Sequence, residues 1–234
     1  MKRCNLYTQA AIWLGALLLQ SPISGAALAD KAYTSQFLGE DSFTTVGDNY
    51  FLPLLPGYFQ VLETPNGKVK VTVTVTNRTK KVAGVETRIV TENEEKNGVL
   101  FETTDNYEAV SSKTGSVYYF GEYATQYKDG QVVGHKGSWL AGENGATFGM
   151  LIPGVALIGA RFQQENAAPI ALDRSEIIKE DVAVTLPAGS FTGCLKVFDT
   201  DGLDPSAPPE KKIYCPGIGN VVDETLVLTQ YGQH

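Results

Sequence analysis

Between residues 69 and 75 the chain reads Val-Lys-Val-Thr-Val-Thr-Val, with valine at every odd position. A side-chain repeat of two describes a β-strand with one apolar and one polar face. A helix would scatter those valines around its circumference. The rhythm recurs in residues 57–64, 82–94, 99–111, 116–127 and 131–139. Turn formers separate the runs: Pro65-Asn66-Gly67, Asn97-Gly98, Gly115 and Asp129-Gly130. No window after residue 29 repeats apolar residues at helical spacing over three turns. The expectation is an all-β antiparallel meander, with 173–180 (DRSEIIKE) read as strand and 31–50 as irregular. A three-residue loop at 65–67 sets Phe59 opposite Val73 and Val61 opposite Val71, all on one apolar face.

The start of the chain is of another kind. Lys2 and Arg3 precede an apolar run at 10–19, too short to span a bilayer, and Ala27-Leu28-Ala29 offers small residues at −3 and −1. Residues 1–29 read as a signal peptide cleaved before Asp30, and 51–234 as a single β domain. A periplasmic or extracellular location follows, with no transmembrane segment after the signal. The formal net charge is −7, and losing Lys2 and Arg3 makes it two units more negative. Such a surface repels nucleic-acid phosphates, and no basic cluster larger than a Lys-Lys pair opposes that.

Cys4 leaves with the signal and does not stand at the cleavage site, so no lipid anchor is expected there. Cys194 and Cys215 remain, and an exported chain favours one disulfide. The midpoint between them falls in the polar, proline-rich stretch 199–210 (DTDGLDPSAPPE). If the flanks are antiparallel strands, the two cysteines lie opposite each other.

Few chemistries survive this composition. With two histidines, His135 and His234, and both cysteines bridged, a zinc or copper centre lacks ligands. His135 is the single candidate base for a serine hydrolase. Ser138 lies three residues on, across a strand from it, and no G-x-S-x-G elbow exists. Carboxylates are abundant: Glu92, Glu94, Glu95, Glu102, Asp105, Glu108, Glu122 and Glu143. Their plain reading is solvated strand faces and hairpin tips; the functional one is paired acid–base catalysis. Glu122, set among aromatics, is the first candidate, with Asp105 and His135 behind it. Asp199, Asp201 and Asp204 in DTDGLD are a weak calcium candidate, since the glycine spacing departs from an EF-hand and a plain hairpin tip is the better reading. Otherwise no cofactor is expected.

Two apolar features could line a ligand site. On a regular strand Tyr119, Tyr123 and Tyr127 share one face, and Tyr118 and Phe120 the other, near Trp139. Residues 141–159 (AGENGATFGMLIPGVALIG) form a long glycine-rich segment carrying Met150 and Ile152. Each reads as core packing or as the wall or lid of a groove.

Three phrases together are similar to a broad set of uncharacterised secreted bacterial β-proteins. They are Phe51-Leu52-Pro53-Leu54-Leu55-Pro56-Gly57-Tyr58, Val117-Tyr118-Tyr119-Phe120-Gly121-Glu122 with Gly137-Ser138-Trp139, and the pair Leu186-Pro187-Ala188-Gly189-Ser190-Phe191 and Tyr214-Cys215-Pro216-Gly217-Ile218-Gly219. The resemblance spans residues 51–222. It implies a strongly curved sheet, a half-barrel or incomplete barrel, and brings no activity. The combined expectation is an exported binding or structural protein of the cell envelope. The long glycine-rich loop covers the sheet, and a lipid or other apolar molecule lies between them. A carboxylate-dependent hydrolase and a calcium-stabilised interaction module are the alternatives, and the sequence leaves the oligomeric state open.

Overall fold

The computed structural model describes residues 32–35 and 42–234. The leader expected at 1–29 lies outside them. The described residues are all-β. The strands are β1 (Phe43–Thr44), β2 (Gly47–Asn49), β3 (Leu52–Leu54), β4 (Tyr58–Glu63), β5 (Val69–Val82) and β6 (Val85–Lys96). Next come β7 (Val99–Ser111), β8 (Val117–Lys128), β9 (Gln131–Gly134), β10 (Trp139–Leu140), β11 (Gly149–Ile152) and β12 (Arg161–Gln163). The last five are β13 (Asp173–Leu186), β14 (Gly189–Asp201), β15 (Glu210–Cys215), β16 (Gly219–Asp223) and β17 (Leu226–Gln233). β2 and β3 form a separate hairpin. The rest form one antiparallel sheet in the order β10-β8-β7-β6-β5-β4-β17-β16-β15-β14-β13-β12, curved into an incomplete barrel.

Most neighbours are consecutive because two-residue turns join them. Ala83-Gly84, Asn97-Gly98 and Asp129-Gly130 all take positive φ at both positions. That conformation matches the right-handed twist of the flanking strands. β4 and β17 close the meander, joining the first and last long strands. At the barrel's open side β12 and β11 do not pair, but Thr147 donates its main-chain N–H to Asn166 O at 3.0 Å.

The β4–β5 register differs from the expected one. Gln60 lies opposite Val73 and Leu62 opposite Val71, because Lys68 belongs to the loop, making it four residues long. With a side-chain period of two, that one-residue slip moves Phe59 and Val61 to the face opposite the valines.

Two layers of core follow from the alternation. On the concave side Val75, Val90, Val117, Ile152, Phe162, Ile177, Leu195 and Val197 pack together. On the other face of β6–β8, Tyr118 and Phe120 meet Phe43 edge-on at 5.6 and 5.3 Å, and Phe148 stacks on Phe120 at 5.0 Å. Phe120 is fully buried there. Such edge and offset contacts contribute beyond area burial, by about 1 kcal/mol each.

Segment 141–159 divides its role. Its first part, with Ala141, Ala146 and Phe148, packs over the aromatic face. β11 then joins the sheet beside β8 rather than lying across it. Val155, Leu157 and Ile158 beyond it are exposed. The segment reaches the concave side through Leu151, which lines its cavity, and Ile152, which packs in its core.

Cys194 and Cys215 are bonded at 2.02 Å with Cα atoms 4.2 Å apart. They extend the β14–β15 register, in which Leu195 faces Tyr214.

Candidate functional site

The concave side holds a cavity of about 320 Å³, at the lower end of the range for small-molecule sites. Its lining has an apolar and an acidic part on neighbouring strands. Leu62 of β4 and Val71, Val73 and Val75 of β5 line it with Leu52, Pro53 and Leu54. Glu92 of β6, the cross-strand partner of Val73, makes the acidic wall with Glu108 of β7, Glu122 of β8, Glu165 and Asp173.

A bulge in β8 brings Glu122 inward. Asn106 faces Glu122 while Glu108 faces Tyr119, so β8 holds one residue more than β7 over this stretch. Gly121 absorbs it at φ 123°. A Cβ there would lie 2.3 Å from Trp139 O. Tyr119 and Glu122, three apart, thereby reach the same cavity, and the Tyr119 hydroxyl donates to Glu122 Oε2 at 2.9 Å. The expected common face of Tyr119, Tyr123 and Tyr127 is broken at this point. Tyr123 is exposed, stacked on the His135 ring at 4.7 Å.

Electrostatics set this wall apart. Burial pushes the Glu108 carboxyl up to about 8, with Glu92 adding repulsion. Burial raises Glu165 to about 8 as well, with Asp173 and Glu122 contributing. Glu122 rises to about 7 because burial outweighs the hydrogen bond from Tyr119. Glu92 is raised by burial too. The one base lining the cavity, Lys212, is engaged by Asp199 at 3.2 Å and Asp223 at 3.5 Å. Burial disfavours its ammonium, yet those two carboxylates hold the proton above the usual range.

The remaining expected site residues lie elsewhere. Asp105 faces away from Glu108 and forms a two-pronged pair with Arg78, at 2.8 and 3.0 Å. His135 Nδ1 is 2.9 Å from Ala124 O, and Ser138 Oγ accepts the Ala124 N–H, so both attend the same main chain. Tyr118, Phe120 and Ile152 are core, and Met150 packs against it. Trp139 and Tyr123 border a second recess, of about 290 Å³, with Ala146, Ala167 and Pro169.

The calcium candidate does not converge. Asp199 is buried, bonded to Ser175 and Lys212, whereas Asp201 and Asp204 accept main-chain N–H groups from Leu203 and Ser206 in the turn. Among the described residues no three His, Cys, Asp or Glu are placed to hold a metal ion.

Glu165, Asp173 and Lys212 carried no sequence signal as site residues. Gly121, a glycine inside a strand pattern, was a readable sign of the bulge.

No family model matches the chain, and no curated protein matches it. Two solved structures do. One is described as an exported protein with a YmcC-like fold from Bacteroides fragilis, at 14% identity and TM-score 0.41, covering 79% of this chain and all of that one. The other is described as a lipoprotein from Parabacteroides distasonis, at 11% identity and TM-score 0.36, covering 79% of this chain and 99% of that one. Among the described residues no helix is long and apolar enough to cross a membrane.

Proposed function

We propose that this is an exported binding protein of the cell envelope whose concave cavity holds a small amphiphilic molecule. The observation that carries the reading is a cavity lined by valines and leucines beside a set of carboxyls. An amphiphile satisfies both kinds of lining at once, whereas water satisfies only the carboxyls. The leader-like start of the chain and the Cys194–Cys215 bond support export. The ligand lies among Leu52, Pro53 and Leu54 and Leu151 of the 141–159 segment. Native mass spectrometry of protein released gently from its own envelope tests this. A bound mass of a few hundred daltons is expected, and a bare chain from every preparation would count against it.

A second reading rests on Glu122. A carboxyl raised to about 7, hydrogen-bonded by Tyr119 and near Glu165, has the properties of a general acid in a carboxylate hydrolase. A screen over glycosides and esters, repeated with Glu122→Gln, separates it from binding alone. Activity lost in a folded variant would support catalysis.

A further inference from the structure

Resting on the binding reading above, the geometry points to a ligand whose polar end is a protonated amine, taken by Glu108 and Glu92 while its apolar body lies on the β5 valines. Four observations lead there.

First, Glu108 is more than nine-tenths buried, lines the cavity, and has neither a hydrogen bond nor an ion pair among the described residues. A buried carboxyl normally has a partner, and a group left without one is unfinished until something else arrives. Glu92, two residues beyond Val90 on the same face of β6, has no hydrogen bond or ion pair among the described residues, with only the charge of Lys212 in part opposing its burial, and is close enough to repel Glu108.

Second, the chain's own cations are committed elsewhere. Arg88 is opposite Glu108 in register, but its guanidinium donates to Thr45 O and Thr45 Oγ1 at 2.9 and 3.1 Å, and to Thr76 O at 3.3 Å. Lys212 is shared by Asp199 and Asp223. Among the described residues no cation pairs with Glu108, and Lys212 offsets Glu92 only in part, so an outside cation would complete the site.

Third, a bare metal ion fits poorly. It needs several oxygens at roughly 2.0–2.6 Å from one point, and among the described residues no three acids meet that condition. An ammonium group donates three directed hydrogen bonds and reaches carboxyls set farther apart.

Fourth, the strands beside Glu92 line the same cavity with Leu62, Val71, Val73 and Val75, and Val73 lies directly opposite Glu92 in the β5–β6 register. This favours an amine with a hydrocarbon body over an inorganic or fully polar cation.

The test compares three probes of equal chain length, hexylammonium, hexanol and hexanoate, titrated calorimetrically into the mature protein at pH 8. Hexylammonium is expected to bind at least about tenfold more tightly than hexanol, as a charge-assisted hydrogen bond would give, with hexanoate weakest. Glu108→Gln should remove that advantage and leave hexanol unchanged. Glu92→Gln serves if the first variant fails to fold. Equal binding of hexanol and hexylammonium would overturn the inference and leave the cavity reading standing. So would an advantage that survives both variants. Failure of all three probes to bind would overturn both.

Discussion

Arg88 and Glu108 face each other across β6 and β7, yet the guanidinium turns away to Thr45 and Thr76 and leaves the carboxyl alone. Opposite charges in register on adjacent strands usually pair. Here the cation ties the stretch around β1 to the sheet, and the anion is left to the cavity. Glu108→Gln should therefore stabilise the ligand-free protein. The gain in melting temperature should be larger at pH 9, where the wild-type carboxyl is ionised, than at pH 6, where it is protonated. Equal or negative changes at both values would show that Glu108 has an unrecognised partner.

The pH dependence of stability has a definite sign. Glu108 and Glu165 are raised to about 8 and Glu122 to about 7, above the usual carboxylate range. A group whose folded-state value is raised contributes its full stability below its unfolded value, near 4.5, and loses it as pH rises through the folded one. Glu92 and Asp173 face the same space and shift in the same direction. Lys212 stays charged throughout, because its value is raised well above 10.5. The melting temperature of the ligand-free protein should fall from pH 5 to pH 8 and level off above that. Circular dichroism melts across the series would show it.

Removing the half-buried cation at Lys212 should have the opposite consequence. Lys212→Met leaves Asp199, almost fully buried, beside Asp223 with no counter-ion. Breaking a fully buried pair on one side costs about 3–5 kcal/mol, and the partial exposure of Lys212 and Asp223 puts this one at the lower end. Urea denaturation at pH 7 should show a loss of that order, partly recovered in a Lys212→Met, Asp199→Asn double variant.

Gly121 tests the bulge. Its φ is 123°, and the Trp139 carbonyl oxygen lies 2.3 Å from the point an alanine methyl would take, so there is no room for one. Gly121→Ala should destabilise by about 2 kcal/mol or more through backbone strain and displacement of β10. Trp139 fluorescence should shift with it, since the indole packs edge-on against Tyr119 at 5.5 Å. An unchanged spectrum would mean that β10 tolerates the displacement.

Reduction offers a simpler check. Opening Cys194–Cys215, separated by 21 residues, should cost about 3 kcal/mol in the chain-entropy account. Urea midpoints with and without reductant would measure it.

The legible parts of the molecule were those encoded locally. The valines of β5 announced a strand, Asn97-Gly98 and Asp129-Gly130 announced turns, and counting inward from Cys194 and Cys215 placed the bridge. Each needed only a short window. The β4–β5 register was missed because Lys68 extends a loop that Pro65-Asn66-Gly67 describes equally well at three residues. The carboxyl wall was missed for a stronger reason. Whether Glu92, Glu108 and Glu122 face in or out depends on strand phase, and the bulge at Gly121 resets that phase midway along β8. Glu165 and Asp173 then arrive from a part of the chain more than forty residues away from Glu122. Their common environment is a property of the closed curve.

The outer edge of β8 is occupied in turn by β11, β10 and β9, and that of β12 by the main chain at Thr34. A long sheet of this type would otherwise offer free amide and carbonyl groups at both ends to any extended chain it met. Short local pieces of the same polypeptide occupy those positions over much of their length. The protein can thus keep a deep, open curve in a crowded compartment while presenting little exposed backbone from which strand-by-strand polymerisation could start.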